Sequence, residues 1–157
     1  FCHLFVRIRI LYFRGDIMFF SNNLYDYGAK PFITNLKRDV CANSNFRTAR
    51  WTGSHLQLTL MCIPKGSEIG LEIHPDTDQL LYIESGNGLA MMGKQKDCLD
   101  YQCSVSSQSS IFIPAGTWHN LKNMGNCDLK LFSVYAPPQH PFGTVHRCKP
   151  DAEDLEY

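Results

Sequence analysis

An all-β sandwich or barrel is the fold class this sequence predicts, and three observations predict it. Short β-rich runs recur between residues 56 and 135, Gly- and Pro-containing turns punctuate them, and a Pro-Pro pair closes the last run. The length of 157 residues, with 44% hydrophobic and 19% charged residues, suits one domain with a self-sufficient core.

The elements follow in order. After Pro31, residues 35–43 carry helix-compatible side chains but span only one helical turn or two, giving a short N-terminal helix. Leu56, Leu58, Leu60 and Cys62 then alternate with Gln57, Thr59 and Met61, the period of a half-buried strand. Pro64-Lys65-Gly66 marks a turn. Residues 69–74 form a second run and residues 79–84 a third, before the strong turn Ser85-Gly86-Asn87-Gly88. Strands are expected at 89–92 and 110–113, the latter ahead of Pro114-Ala115-Gly116. Residues 129–135 are the last clear strand, with Leu129, Leu131 and Ser133 on one face, and Ala136-Pro137-Pro138 ends it because proline cannot continue a central ladder. The acidic tail, residues 151–156, reads as a brief helix or a frayed end.

Residues 1–17 read as a leader. Their apolar stretch Leu4 to Phe13 is interrupted by Arg7 and Arg9 and lacks a small-residue cleavage site, which argues against a signal peptide. The alternation of Val6, Ile8 and Ile10 with those arginines would suit an added edge strand. The favoured expectation is that translation begins at Met18 and that the leader is not native to the fold, with 18–157 as a single domain.

Charge excludes further classes. Fifteen Lys plus Arg balance 15 Asp plus Glu, and from Met18 onward 12 basic residues face 14 acidic ones. No nucleic acid partner is expected, since a phosphate backbone needs clustered positive charge. No membrane partner is expected, since no run approaches the roughly 18 apolar residues of a span. Seven cysteines, an odd number without a Cys-x-x-Cys pair, read as reduced, partly buried thiols of a cytoplasmic protein.

The chemistry sits in two segments. In the first, Glu72 and His74 are two apart, so on a strand they share a face, and Gln79 opens the next strand after the Pro75 turn. In the second, His119 follows the Pro114-x-Gly116 turn at the start of a strand. Together these segments resemble the two signature motifs of the cupin superfamily. Gly66, Glu72, His74, Gln79 and Gly86 fall at the positions of the first motif, 66–86. Pro114, Gly116, His119 and Asn123 fall at those of the second, 108–123, with Gln108 where the family has glycine. The region from about Asn45 to His146 is more narrowly similar to small mannose-6-phosphate isomerase-like cupins. Arg50-Trp-Thr-Gly53, Asp78-Gln79, Pro114 to His119 and Ala136-Pro-Pro-Gln-His140 carry that likeness.

The resemblance implies a double-stranded β-helix, or jelly-roll barrel, holding one divalent metal ion, with a homodimer as the assembly. Its ligands would be Glu72, His74, Gln79 and His119. Glu72 stands at the family's first histidine and Gln79 at its usual glutamate, so the carboxylate has changed place while its single negative charge is kept. Two histidines and a carboxylate suit iron, and manganese, nickel or zinc would fit as well. Asp78 is the rival to Gln79, but alternation turns it to the other face.

Around the metal, Tyr82, Trp118 and His140 are the candidate substrate-binding side chains, and Tyr82, Leu60 and Met91 are expected to line or fill the barrel. Trp118 suits wall packing or stacking on a ligand. His140 and His146 flank Pro141 and Gly143 in a loop that either closes a barrel mouth or lies on the surface. Glu72 and His140 are the candidates for moving a proton. The implied functions are metal-dependent action on a small polar metabolite, as in a sugar isomerase; a non-catalytic binding or sensing module; and a metal-dependent dioxygenase. A phosphate-specific enzyme would need a basic cluster, and nothing in the sequence groups Arg47, Arg50 and Lys65.

Overall fold

The computed structural model describes residues 24–150. The expected leader, 1–17, and the expected C-terminal helix or tail, 151–156, lie outside them. Among the described residues one helix, α1 (Leu36–Ala42), precedes nine strands: β1 (Arg47–Thr52), β2 (Gln57–Ile63), β3 (Asp78–Ser85), β4 (Asn87–Gly93), β5 (Tyr101–Ser106), β6 (Ser110–Ile113), β7 (Trp118–Asn123), β8 (Leu129–Ala136) and β9 (Val145–His146). Asn35 caps α1 by accepting the Arg38 amide at 3.0 Å, and Asn43, in extended conformation, ends it.

The strands make two antiparallel sheets, a six-stranded one in the order β6-β3-β8-β2-β1-β9 and a three-stranded one in the order β5-β4-β7. This is the all-β sandwich that the strand pattern predicts, in the jelly-roll form that the resemblance implies. Helix α1 packs on the outer face of the large sheet, against β2, β3 and β8. The buried pair Arg50–Asp39, 2.8 Å between Nε and Oδ2, ties the helix to β1.

The interior has two tiers. Met61, Ile63, Leu81, Ile83, Leu121 and Leu131 fill the apolar floor. Above it the inward positions become polar: Gln57 and Thr59 on β2, Gln79 on β3, and Ser133 and Tyr135 on β8 are all buried. The alternation in β2 therefore turns its polar members inward. Leu60 is buried on the outer face, in one cross-strand row with Phe132 and Tyr82.

Two expectations change. Residues 69–74 do not make a continuous strand. Gly70 has φ of 109°, a conformation that favours glycine, and its amide turns to Asn120 Oδ1, so pairing with β7 survives only as bridges at Glu68 and Glu72. The cysteines are mostly not buried, since five of the six described are exposed and only Cys62 is inside. No helix among the described residues is long and apolar enough to cross a membrane.

Candidate metal centre

The two motifs are locked together by backbone and side-chain hydrogen bonds. Gly116, at φ of 74°, donates its amide to the His74 carbonyl at 2.8 Å. Asp78 Oδ1 accepts the Ala115 amide at 2.9 Å, so this exposed carboxylate serves the Pro114–Gly116 turn and points away from the barrel. Glu72 and His119 exchange backbone hydrogen bonds at 3.0 Å in both directions. Asn123 fixes the end of β7 by donating to the Ile63 and Cys127 carbonyls, both at 2.9 Å.

These constraints bring Glu72, His74 and His119 together. One ligand atom from each lies within 4.8 Å of the others, and His74 and His119 are buried. Glu72 Oε1 is 3.2 Å from His119 Nε2 and 3.4 Å from His74 Nε2. His119 Nδ1 is 2.8 Å from the Thr117 carbonyl, which can only accept, so Nδ1 carries the proton. The other ring nitrogen, Nε2, is left facing the Glu72 carboxylate oxygen, where a bound cation would lie between the two. Burial pushes the Glu72 carboxyl up, but the His119 and His74 rings and the field of Arg47 outweigh it and hold the group well below the usual carboxylate range. The carboxylate is therefore ionised and ready as a donor.

Gln79 lies on the same inner face. Its Nε2 donates to Ser133 Oγ at 3.0 Å, which leaves Oε1 buried with no donor among the described residues. Such an orphan acceptor fits a cation. The set of two imidazoles, a carboxylate and an amide oxygen fits a divalent transition metal.

A cavity of about 600 Å³ opens over this cluster, lined by Glu72, His74, Lys96, Trp118, His140 and His146 among others. Trp118 forms part of the wall, with Lys96 Nζ 5.6 Å from its ring centre. His140 also lines the cavity, so its loop borders the cavity instead of lying apart on the surface. The Gln57 amide holds that loop: it donates to the His140 carbonyl at 2.8 Å and accepts the His140 amide at 2.9 Å. Burial, reinforced by Arg47, pushes the His140 ring down to about 3 and keeps it neutral.

Tyr82 is not brought to the site. It sits on the outer face of β3, stacked on Phe132 at 5.1 Å, because inward positions there are Gln79, Leu81 and Ile83. Met91 is likewise outside, since Ala90 takes the inward position. Gln57 and Tyr135 are not among the sequence candidates, and the sequence leaves Arg47 ungrouped with any other cation. The weak signal for them is polar residues at inward register positions: Arg47 opposite Met61, and Tyr135 opposite both Gln57 and Gln79. A larger apolar groove of about 850 Å³, lined by Ala90, Met92, Val105, Ile111 and Phe112 among others, contains none of the candidate ligands.

Comparison with known proteins agrees with this architecture. The family model for the cupin domain matches residues 59–135. The chain is 58% identical to the uncharacterised protein YrkC of Bacillus subtilis (strain 168), over 85% of this chain and 72% of that one. It is 37% identical to an uncharacterised protein of Acanthamoeba polyphaga mimivirus, over 77% of this chain and 74% of the relative. The crystal structure of BH2720 from Bacillus halodurans superposes with a TM-score of 0.83 at 53% identity, covering 83% of this chain and 99% of that one.

Proposed function

The chain belongs to the cupin superfamily, and from that premise we propose that it is a metal-dependent enzyme acting on a small polar metabolite inside the barrel. Glu72, His74 and His119 would hold one divalent ion, with Gln79 Oε1 as the fourth donor. The observation that carries this reading is the Glu72 carboxylate set within 3.4 Å of two imidazole nitrogens in a buried site. When bound, such an ion supplies Lewis-acid polarisation of a substrate oxygen or a redox centre.

The chain's own residues do the rest. Thr117 fixes the tautomer of His119, and Ser133 turns the Gln79 oxygen inward. The Gln57-held loop narrows access to bulk water. His140, neutral and lining the cavity, offers a ring nitrogen for a hydrogen bond to a bound substrate. A sugar-isomerase-like or dioxygenase-like reaction, a homodimer and a cytoplasmic location belong to the same proposal and rest on family likeness.

A binding or sensing module is the second reading, favoured by the buried cavity and supported by the same residues. Elemental analysis of protein purified without an affinity tag tests the metal: about one ion per chain is expected, falling to background in His74→Ala plus His119→Ala. Unchanged metal in that variant would sink the assignment. Turnover of a ligand found by thermal-shift screening separates enzyme from sensor.

A further inference from the structure

Among the described residues that line the cavity over the metal cluster, Lys96 is the one Lys or Arg and Glu72 the one carboxylate. Glu72 is engaged by the His74 and His119 rings, and Lys96 makes no ion pair among the described residues. The Lys96 ammonium lies 5.6 Å from the centre of the Trp118 ring, a contact that steadies a cation without neutralising it. Lys96 is exposed as well as lining the cavity, which places it at the rim.

The backbone keeps it there. Met92 and Gly93, at the end of β4, pair with His119 and Trp118 at the start of β7. Beyond them Gln95 pairs with Cys98, whose amide donates to the Gln95 carbonyl at 3.2 Å, so Lys96 and Asp97 are the two residues of a tight turn. Gly93 permits this fold-back, because a Cβ there would run into the Cys98 carbonyl. The β4–β7 register that sets His119 therefore also sets the turn that carries Lys96.

These charges select the kind of ligand. A divalent ion on Glu72 leaves one positive charge in excess, and Lys96 adds a second at the rim, a balance that favours an anion over a neutral polyol. An ammonium is a compact point charge. One of them, with no second Lys or Arg in the described lining, suits a carboxylate better than a phosphate, which takes a basic cluster or a helix N-terminus. We propose that Lys96 is a specificity-determining residue of the cavity: its ammonium, resting on Trp118, pairs with the carboxylate of a small organic acid whose other oxygens face the metal cluster. This deepens the metal-dependent reading above and rests on it. The cavity of about 600 Å³ suits an acid of roughly two to six carbons.

The test is calorimetric titration of the full-length, manganese-loaded protein with hydroxy acids and dicarboxylates of this size. Each acid is paired with its alcohol analogue, for example lactate with propane-1,2-diol, and inorganic phosphate is a separate arm. At least one acid should bind at one per chain and at least tenfold more tightly than its alcohol. Lys96→Gln, at an exposed turn, should weaken that acid about tenfold and leave the alcohol and the metal content unchanged, while Lys96→Arg keeps most of the affinity. Lys65→Gln, which removes a charge outside the cavity lining, should bind like the wild type. The proposal is overturned if no acid exceeds its alcohol, if phosphate exceeds every acid, if Lys96→Gln binds the acid like the wild type, or if Lys65→Gln loses as much as Lys96→Gln. If the wild type takes up no metal, the metal reading fails on its own, and the same acid-against-alcohol and Lys96→Gln comparisons on the metal-free protein still decide the role of Lys96.

Discussion

Glu72 and His119 are joined twice, by paired backbone hydrogen bonds of 3.0 Å and by a 3.2 Å approach of Oε1 to Nε2. The backbone pair sets the two residues directly opposite each other, which places the carboxylate beside the imidazole. Replacing Glu72 with Gln keeps the shape and removes the charge. Metal affinity in Glu72→Gln should fall by more than the roughly 10–100-fold that loss of an outer partner costs. Metal-competition titration with a chromophoric chelator measures it, and wild-type affinity in that variant would remove Glu72 from the ligand set.

Gln79 offers an oxygen only because Ser133 takes its amide hydrogen at 3.0 Å. Ser133→Ala frees the amide to rotate. Metal affinity should drop about tenfold, in the range of an outer-partner loss. Gln79→Glu, which restores a carboxylate at that position, should instead raise it. If both variants titrate like the wild type, Gln79 lies outside the coordination sphere.

The sequence made the architecture legible where turn chemistry and alternation are local. The helix at 35–43, the strands at 79–84, 110–113 and 129–135, and the Pro114–Gly116 turn all appear in place. Glu72, His74 and His119 were legible because the spacing within each motif survives the substitutions. Other features depend on pairing that no local window contains. Gly70 breaks the 69–74 run with a positive φ, and its amide is taken by Asn120, fifty positions away. Tyr82 looked like a lining residue, but the register that points Gln79 inward necessarily sends Tyr82 outward onto Phe132. Arg47 could not be placed from sequence because β1 carries arginines on both faces: Arg50 turns out to Asp39 and Arg47 turns in.

His140 carries the pH dependence. Its ring is pushed down to about 3 in the folded protein, while the unfolded chain has an ordinary imidazole near 6.5. Between those values the unfolded state binds a proton that the folded state refuses, so stability falls as pH drops below about 6.5. The loss attributable to this residue should be about 1–2 kcal/mol between pH 7 and pH 5. Urea denaturation at both pH values, on wild type and His140→Gln, isolates it: the variant should lose less stability over the interval. Equal losses in the two proteins would show that His140 titrates normally.

Gln57 sets the position of the loop that bears His140. The side chain is fully buried, accepts the amides of Gln139 and His140 at 3.2 and 2.9 Å, and donates to the His140 carbonyl and Thr52 Oγ1 at 2.8 and 2.9 Å. Gln57→Leu keeps much of the volume but strands these backbone groups, each at a cost of about 1–3 kcal/mol if they stay buried. The loop escapes that cost by opening to water, while the apolar floor beneath is untouched. Hydrogen exchange should therefore accelerate at least tenfold at the His140 amide and leave the β2–β8 ladder amides near their wild-type rates. Uniform acceleration across the sheet would mean that Gln57 supports the whole fold, and no acceleration would mean that the loop is held elsewhere.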